Sequence, residues 1–283
     1  MPELPEVETI RQALRQGKDG QPPIVGMTIR SARLFWGRTL AYPAPGEFEA
    51  RIAGQTIREI GRRGKFLILH LSPDHLLFHL RMSGDLLVEE ADLPIALHHR
   101  LVLDLEKDLR LAFNDTRKFG RAWLVTDPEE VLSNLGIEPF DPALTPEEFD
   151  RRLRDRRRQI KPLLLDQSFL AGLGNIYTDE ALHLAGLHPL RLSHTLTPVE
   201  SERLLLSIRE VLQEGIQRNG ASIDWVYRGG DFQNYFRVYQ RTGLACPACG
   251  TMIQRLVVGQ RGTHYCPTCQ PSPFESWHEG DKP

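Results

Sequence analysis

All four cysteines of the chain lie beyond residue 245, as CPAC (Cys246, Cys249) and CPTC (Cys266, Cys269), with sixteen residues between the pairs. Each pair brings two thiolates to one side of a tetrahedral ion, so the spacing predicts a site for one structural Zn2+. Four thiolates leave no open position for water, which excludes metal-hydroxide chemistry at this site. A disulfide framework is a poor alternative, because nothing marks secretion and no cysteine lies elsewhere. The opposite end reads MPELPEVET. Pro5 suits the first position of a helix, Glu6 and Glu8 complement its dipole, and Val7, Ile10 and Leu14 form an apolar stripe. A helix is therefore predicted from Pro5 to about Gly17. Pro2 and Glu3 precede it and have no part in it. A small second residue permits removal of Met1, which would leave Pro2 with a free secondary amine.

At 283 residues the chain has room for two domains, each with its own core. Hydrophobic residues at 41% and charged residues at 25% are ordinary for a globular protein. No apolar run reaches membrane-spanning length and no basic-then-apolar leader precedes the first helix, so a cytoplasmic protein without membrane contact is expected. The formal net charge of −2 gives no support to nucleic-acid binding, but its distribution is uneven. Arg151 to Lys161 (RRLRDRRRQIK) carries seven basic residues against one acidic, and REIGRRGK forms a second cluster ending at Lys65.

The elements that must position these residues change character along the chain. From about Ile24 to Val125, short apolar runs (FLILHL, HLLFHL, HRLVLDL, RAWLV) alternate with turn signals at Ser72 to Asp74 and Met82 to Asp85. They are too closely spaced for crossover units, so an antiparallel β-sandwich is predicted. A proline-punctuated linker follows over 126–146. Beyond it the pattern is helical. TPEEFDRRLRDRRRQIK opens with a helix start signal, and SFLAGLGNIYTDEALHLAGLHP reads as two short helices broken by glycine-rich turns. A long amphipathic helix is predicted from about Thr197 to Arg218. A polar, glycine-rich loop and the cysteine segment, spaced like a zinc-bound hairpin, complete the chain. The expected fold class is α+β. Its expected divisions are 1–125 (helix and β-sandwich), 126–146 (linker), 147–237 (helical), 238–270 (zinc finger) and 271–283 (a disordered tail).

Six motifs in this order resemble the formamidopyrimidine-DNA glycosylase family over nearly the whole chain. They are PELPEVET, GRRGKFL around Lys65, HLRMSG around Met82, NDTRKFG around Arg117, GLGNIYTDEAL around Asn175, and the four-cysteine segment. The resemblance implies a monomeric base-excision repair enzyme acting on damaged double-stranded DNA, with a helix–two-turns–helix in its helical domain. It implies that Pro2 is the mature N-terminus and the nucleophile. An α-amino group has a pKa of about 7.7–8.0 against about 10.4 for lysine, so an appreciable fraction is neutral near pH 7 and able to attack. A secondary amine condensing with the sugar gives an iminium ion, an electron sink that acidifies the neighbouring carbon for phosphate elimination.

By the same resemblance Glu3 is the proton carrier beside that amine, working as a general acid. Glu6 supports the site, although its place in the helix dipole accounts for it equally well. Lys65 grips the phosphate beside the lesion, and Arg261, at the tip of VVGQRGTHYC, contacts phosphate close by. An enzyme acting on a base must turn it out of the stack. Met82 and Phe119 are then wedges between bases and Arg117 reads the orphaned partner. Asn175 holds phosphate on its helix–two-turns–helix, and Tyr239 and Arg241 contact the backbone. Lys161, ending the basic helix, lies near the damaged base or its backbone, in competition with the other basic residues around it.

Three places depart from the family wording. Arg81 stands where HLGMSG has glycine, Arg100 stands where a histidine is usual, and the stretch 220–236, expected to cover the extruded base, matches in position more than in wording. The expected reaction is excision of oxidised purines with strand cleavage. The alternatives are an endonuclease VIII-like enzyme for oxidised pyrimidines, which typically opens with a PEGPE-like sequence, and a zinc-ribbon DNA-binding protein without catalysis.

Overall fold

The computed structural model describes residues 1–18, 20–222 and 229–273. The part of the covering loop at 223–228 and the tail expectation for 274–283 lie outside the described residues. The chain divides into two compact units, Met1–Asn134 with Arg218–Gly230, and Leu135–Gln217 with Asp231–Pro283. The sequence places 218–230 in the helical division 147–237. It joins the first unit instead, where the Ala221 N–H donates to Glu6 Oε1 at 2.7 Å.

The first unit opens with α1 (Leu4–Gln16), whose Val7, Ile10 and Leu14 are buried as their spacing requires. Nine strands follow: β1 (Ile29–Leu34), β2 (Leu40–Tyr42), β3 (Glu59–Arg63), β4 (Phe66–His70), β5 (His75–His79), β6 (Gly84–Glu90), β7 (His99–Leu105), β8 (Leu109–Asp115) and β9 (Arg121–Val125). They form a four-stranded sheet, β1-β7-β8-β6, and a five-stranded sheet, β2-β9-β5-β4-β3. Every pairing is antiparallel except the short β2–β9 pair, which is parallel. One apolar core joins both sheets to α1: Leu67, Leu69, Leu76 and Phe78 from one sheet meet Leu101, Leu103, Leu111 and Phe113 from the other. Two short helices were not expected, α2 (Pro45–Ile52) and α3 (Glu129–Leu132). Proline in its first turn starts α2, which buries Phe48 and Ile52.

The second unit carries α4 (Pro146–Arg154), α5 (Ile160–Leu165), α6 (Asn175–Leu184) and α7 (Pro198–Gln217), then a hairpin of β10 (Gln254–Val258) and β11 (Arg261–Tyr265). The Thr145 hydroxyl caps α4 by accepting the Glu148 N–H at 3.2 Å. The structure differs from expectation twice here. The basic stretch is not one helix: α4 ends at Arg154 and α5 starts afresh at Ile160. Pro162 requires this, because a proline is tolerated in a helix's first turn and breaks its interior. The segment from Ser168 to Pro189 holds one helix, α6, rather than two short ones. Its core contacts run to α7, where Gly215 lets the Tyr177 ring approach; a Cβ there would lie 2.5 Å from it. No helix among the described residues is long and apolar enough to cross a membrane.

Candidate active site, nucleic-acid contacts and zinc centre

In the first unit Glu3 is the N-cap of α1, and Glu3 and Glu6 form a reciprocal capping box. Pro2 is buried beside it, and Glu3 and Glu6 are each only 2% exposed. The Glu3 N–H donates to Glu6 Oε2 at 2.8 Å while Glu6 Oε1 accepts the Ala221 N–H. Glu6 therefore does more than complement a dipole. Its carboxylate ties the residue after Pro2 to the beginning of the 221–230 segment. Gly220 makes that approach possible: its φ is +78° and a Cβ would lie 2.7 Å from Glu6 Oε1.

Lys65, 5% exposed, sits in the turn between β3 and β4, after Gly64. That turn is braced against α1 by Glu8, which accepts from Arg11 at 2.6 Å and from Arg62 at 3.1 Å, while Arg62 also donates to the Gly64 carbonyl at 3.0 Å. Burial alone would raise the Glu8 carboxyl, but the bonds from Arg11, Gln12 and Arg62 hold it below its ordinary value. His79, at the end of β5, is pushed down to about 3 by burial, with the Arg81 and Lys65 charges adding to it. It is a neutral imidazole whose Nδ1 accepts the Arg81 N–H at 3.1 Å. Sequence reasoning passed over this residue, although it opens the HLRMSG motif.

The structure brings Met82, Arg117 and Phe119 together on two linked turns. Asp115, fully buried, accepts from the Ser83 hydroxyl and from the Gly120 N–H at 2.7 Å, and the Arg117 N–H donates to Ser83 Oγ at 3.0 Å. Asp115 is thus the organiser of this cluster, a role hidden in NDTRKFG. Met82 and Phe119 are 42% and 49% exposed, unlike core residues, and the Arg117 guanidinium lies 5.3 Å from the Phe119 ring centroid. Arg81 and Lys118 both adopt left-handed backbone, with φ of 56° and 61°. Arg81 thus occupies a conformation that suits the glycine it replaces. Arg100 is largely buried, donating from Nε to the Asp115 carbonyl at 2.7 Å, and so supports the same turn.

In the second unit Asn175 opens α6 and its Nδ2 donates to the Gly262 carbonyl at 2.9 Å, leaving a second amide proton for a ligand. Arg261 is exposed at the start of β11, after a two-residue turn whose Gly259 and Gln260 both have positive φ, as a type I′ hairpin requires. Tyr239 is half-buried, its N–H donating to Glu180 Oε1 at 2.8 Å and its ring edge-on to His264. Arg241 is half-buried as well, and donates to the Ala245 carbonyl at 3.2 Å.

Lys161, expected near the damaged base or its backbone, is enclosed within the unit. It lies inside α5, 0% exposed, with Nζ 2.5 Å from Asp179 Oδ1 and 3.2 Å from the Gly262 carbonyl. An ammonium so enclosed is a brace for the carbonyl next to Arg261 rather than a surface contact. Asp179 completes the brace by accepting the His264 N–H at 2.9 Å. Glu180 accepts three backbone N–H groups, from Arg237, Val238 and Tyr239.

The four cysteine Sγ atoms lie within 4.8 Å of one another. Cys246–Cys269 at 3.9 Å and Cys249–Cys266 at 3.4 Å are far too long for disulfides, and they approach the edge of a tetrahedron with Zn–S bonds of about 2.3 Å. The donor set fits zinc, held by all four thiolates.

Comparison with known proteins accounts for both units. The description "Formamidopyrimidine-DNA glycosylase N-terminal domain" matches residues 1–122, "Formamidopyrimidine-DNA glycosylase H2TH domain" matches 135–226, and "Zinc finger found in FPG and IleRS" matches 243–271. A formamidopyrimidine-DNA glycosylase of Chloroflexus aurantiacus is 47% identical over 95% of this chain and 98% of its own length. One from Pelotomaculum thermopropionicum is 43% identical over 95% and 99%. Among solved structures, a Lactococcus lactis FPG variant in complex with Fapy-dG-containing DNA is similar with a TM-score of 0.88 and 37% identity. That match covers 96% of this chain and all of the other. A MutM complex with DNA containing carbocyclic 8-oxo-G matches at the same TM-score, identity and coverage. Full-length identity to these relatives and three successive domain matches establish that the chain belongs to the formamidopyrimidine-DNA glycosylase family.

Proposed function

We propose that this protein excises oxidised purines, 8-oxoguanine and formamidopyrimidines, from duplex DNA and then cleaves the abasic strand. The observation that carries the reading is the N-terminus: Pro2 and Glu3 are buried side by side ahead of α1, and the Glu3 N–H is held by the Glu6 carboxylate. Simple DNA binding requires neither residue. The relatives' names and the lesions in the related complexes, Fapy-dG and 8-oxo-G, support the purine branch.

Removal of Met1 exposes the Pro2 nitrogen as a secondary amine. Its lone pair attacks the sugar carbon that bears the base, the glycosidic electron pair leaves with the base, and the proton given up by the amine nitrogen neutralises the departing base. Glu3 delivers a proton to the ring oxygen, and opening of the ring yields a positively charged iminium ion at Pro2. Loss of a proton from the adjacent carbon expels the 3′ phosphate (β-elimination), and a second elimination expels the 5′ phosphate. Lys65 stabilises the charge developing on phosphate. Met82 and Phe119 fill the space left by the extruded base and Arg117 contacts its former partner. Arg261, Asn175, Tyr239 and Arg241 hold the backbone, while Lys161 braces the Gly262 carbonyl beside Arg261. The protein acts as a cytoplasmic monomer, in keeping with cysteines held as thiolates on zinc.

Product analysis on end-labelled duplexes tests the substrate assignment. Release of 8-oxoguanine with a gap ending in phosphates on both sides is expected. Preference for an oxidised-pyrimidine duplex would move the protein to the endonuclease VIII-like branch, and binding with no cleavage of either would remove the enzyme reading.

A further inference from the structure

Two of the zinc-site cysteines differ in what supports their sulfur. Cys266 Sγ accepts the Cys269 N–H at 3.4 Å. Cys246 is buried, and among the described residues its sulfur meets no backbone N–H. It meets the Nε2 of His183 instead, at 3.4 Å. His183 is itself 6% exposed, and its Nδ1 is buried with no hydrogen-bond partner among the described residues. That orphaned nitrogen identifies the tautomer. A buried N–H without a partner is rarer than a buried lone pair without one, so the single proton belongs on Nε2, facing the sulfur. A zinc-bound thiolate has no proton to give, so this bond has one possible direction.

From this geometry we infer that His183 is a positioning residue for the zinc centre, donating its Nε2–H to the Cys246 thiolate. Four thiolates on one Zn2+ carry a net charge of −2, and each N–H aimed at a sulfur disperses part of it. The bond also joins the metal site to α6. Asn175, Asp179, Glu180 and His183 all project from that helix to the segment between Arg237 and His264, so one helix anchors both the hairpin beside Arg261 and the four-cysteine cluster. Nothing in the four-cysteine spacing reveals such a donor, because His183 lies sixty-three residues before Cys246.

The test uses the zinc-loaded full-length protein and two replacements of similar length, His183→Gln, which keeps an N–H near the Nε2 position, and His183→Met, which does not. Zinc affinity is read by chelator competition, and sulfur-to-metal charge transfer by absorption of the Co2+-substituted proteins. His183→Met is expected to weaken zinc binding by about 10-fold or more and to shift the charge-transfer band, while His183→Gln stays close to the parent. Equal behaviour of both variants, whether unchanged or equally weakened, overturns the inference, since the N–H is then immaterial. A variant-free arm decides the matter if His183→Met does not fold: 15N NMR of the zinc-loaded parent should find the His183 proton on Nε2, and a proton on Nδ1 instead overturns the assignment.

Discussion

Replacing Lys161 by methionine separates a buried brace from a surface phosphate contact. Lys161 and Asp179 are both essentially unexposed, so bulk solvent does not reach their 2.5 Å contact to compensate either charge. Removing one partner of such a pair typically costs about 3–5 kcal/mol, because the remaining charge stays buried. Asp179 Oδ2 keeps the His264 N–H at 2.9 Å, and the His264 ring lies 3.2 Å away, so the lower end, about 3 kcal/mol, is expected. The Gly262 carbonyl would retain the Asn175 amide and lose the 3.2 Å bond from Lys161. A surface lysine, by contrast, would change stability by no more than about 0.5 kcal/mol. The assay is native-state hydrogen exchange of the β10–β11 and α6 amides in zinc-loaded protein, with the salt dependence of duplex binding measured alongside. The brace predicts faster exchange across the hairpin, with a local opening free energy lower by about 3 kcal/mol and an unchanged salt slope. Unaltered exchange together with a salt slope reduced by about one would refute it and restore Lys161 to the surface.

Other perturbations follow from the same geometry. Gly220→Ala combines a φ of +78° with a Cβ 2.7 Å from Glu6, whereas Gly54→Ala has a similar φ of +82° and open space. Urea unfolding should show a loss of about 1 kcal/mol for Gly54→Ala and at least another 1 kcal/mol for Gly220→Ala; equal losses would mean that the Glu6 contact contributes nothing. Burial pushes the Asp85 carboxyl up to about 6, above the ordinary value of about 3.9 that it regains on unfolding. The unfolded chain therefore releases this proton first, and stability falls as pH rises from about 4 to about 6, by on the order of 2 kcal/mol. Asp85→Asn should flatten that part of the pH–stability profile, and an unchanged slope would remove Asp85 as its source. Stripping zinc with a strong chelator should abolish exchange protection of the β10–β11 amides and leave the first unit's sheets protected, because metal binding and local folding are one equilibrium here.

Much of this was legible in the sequence because some patterns admit few structures. Pro5, the acidic first turn and the Val7, Ile10, Leu14 spacing specify α1, and two CxxC pairs specify a metal site. Exposed apolar residues in turns, Met82 and Phe119, stood out because core residues seldom sit there. Burial of polar residues was not legible. Nothing in a run of seven basic residues says that Lys161 turns inward, since its partner Asp179 comes from another helix and the break at Pro162 had to be placed first. Asp179, Glu180 and His183 read as an ordinary polar stretch of α6, yet all three are buried and satisfy groups far along the chain. Glu6 looked equally suited to a dipole role because its second partner, Ala221, lies 215 positions away. The short parallel pair β2–β9 and the two-turn helix α2 carry too few residues for a period to emerge.

Everything proposed for catalysis depends on the amine of Pro2 forming the covalent intermediate. Incubating the Met1-processed protein with a duplex containing 8-oxoguanine in the presence of borohydride would reduce that intermediate to a stable adduct, and mass spectrometry of the proteolysed complex would locate it. DNA should be attached to the N-terminal peptide at Pro2, with trapping lost in Pro2→Gly while duplex binding largely persists. Attachment at Lys65 or another lysine, or no adduct from protein that binds the duplex and holds its zinc, would contradict it.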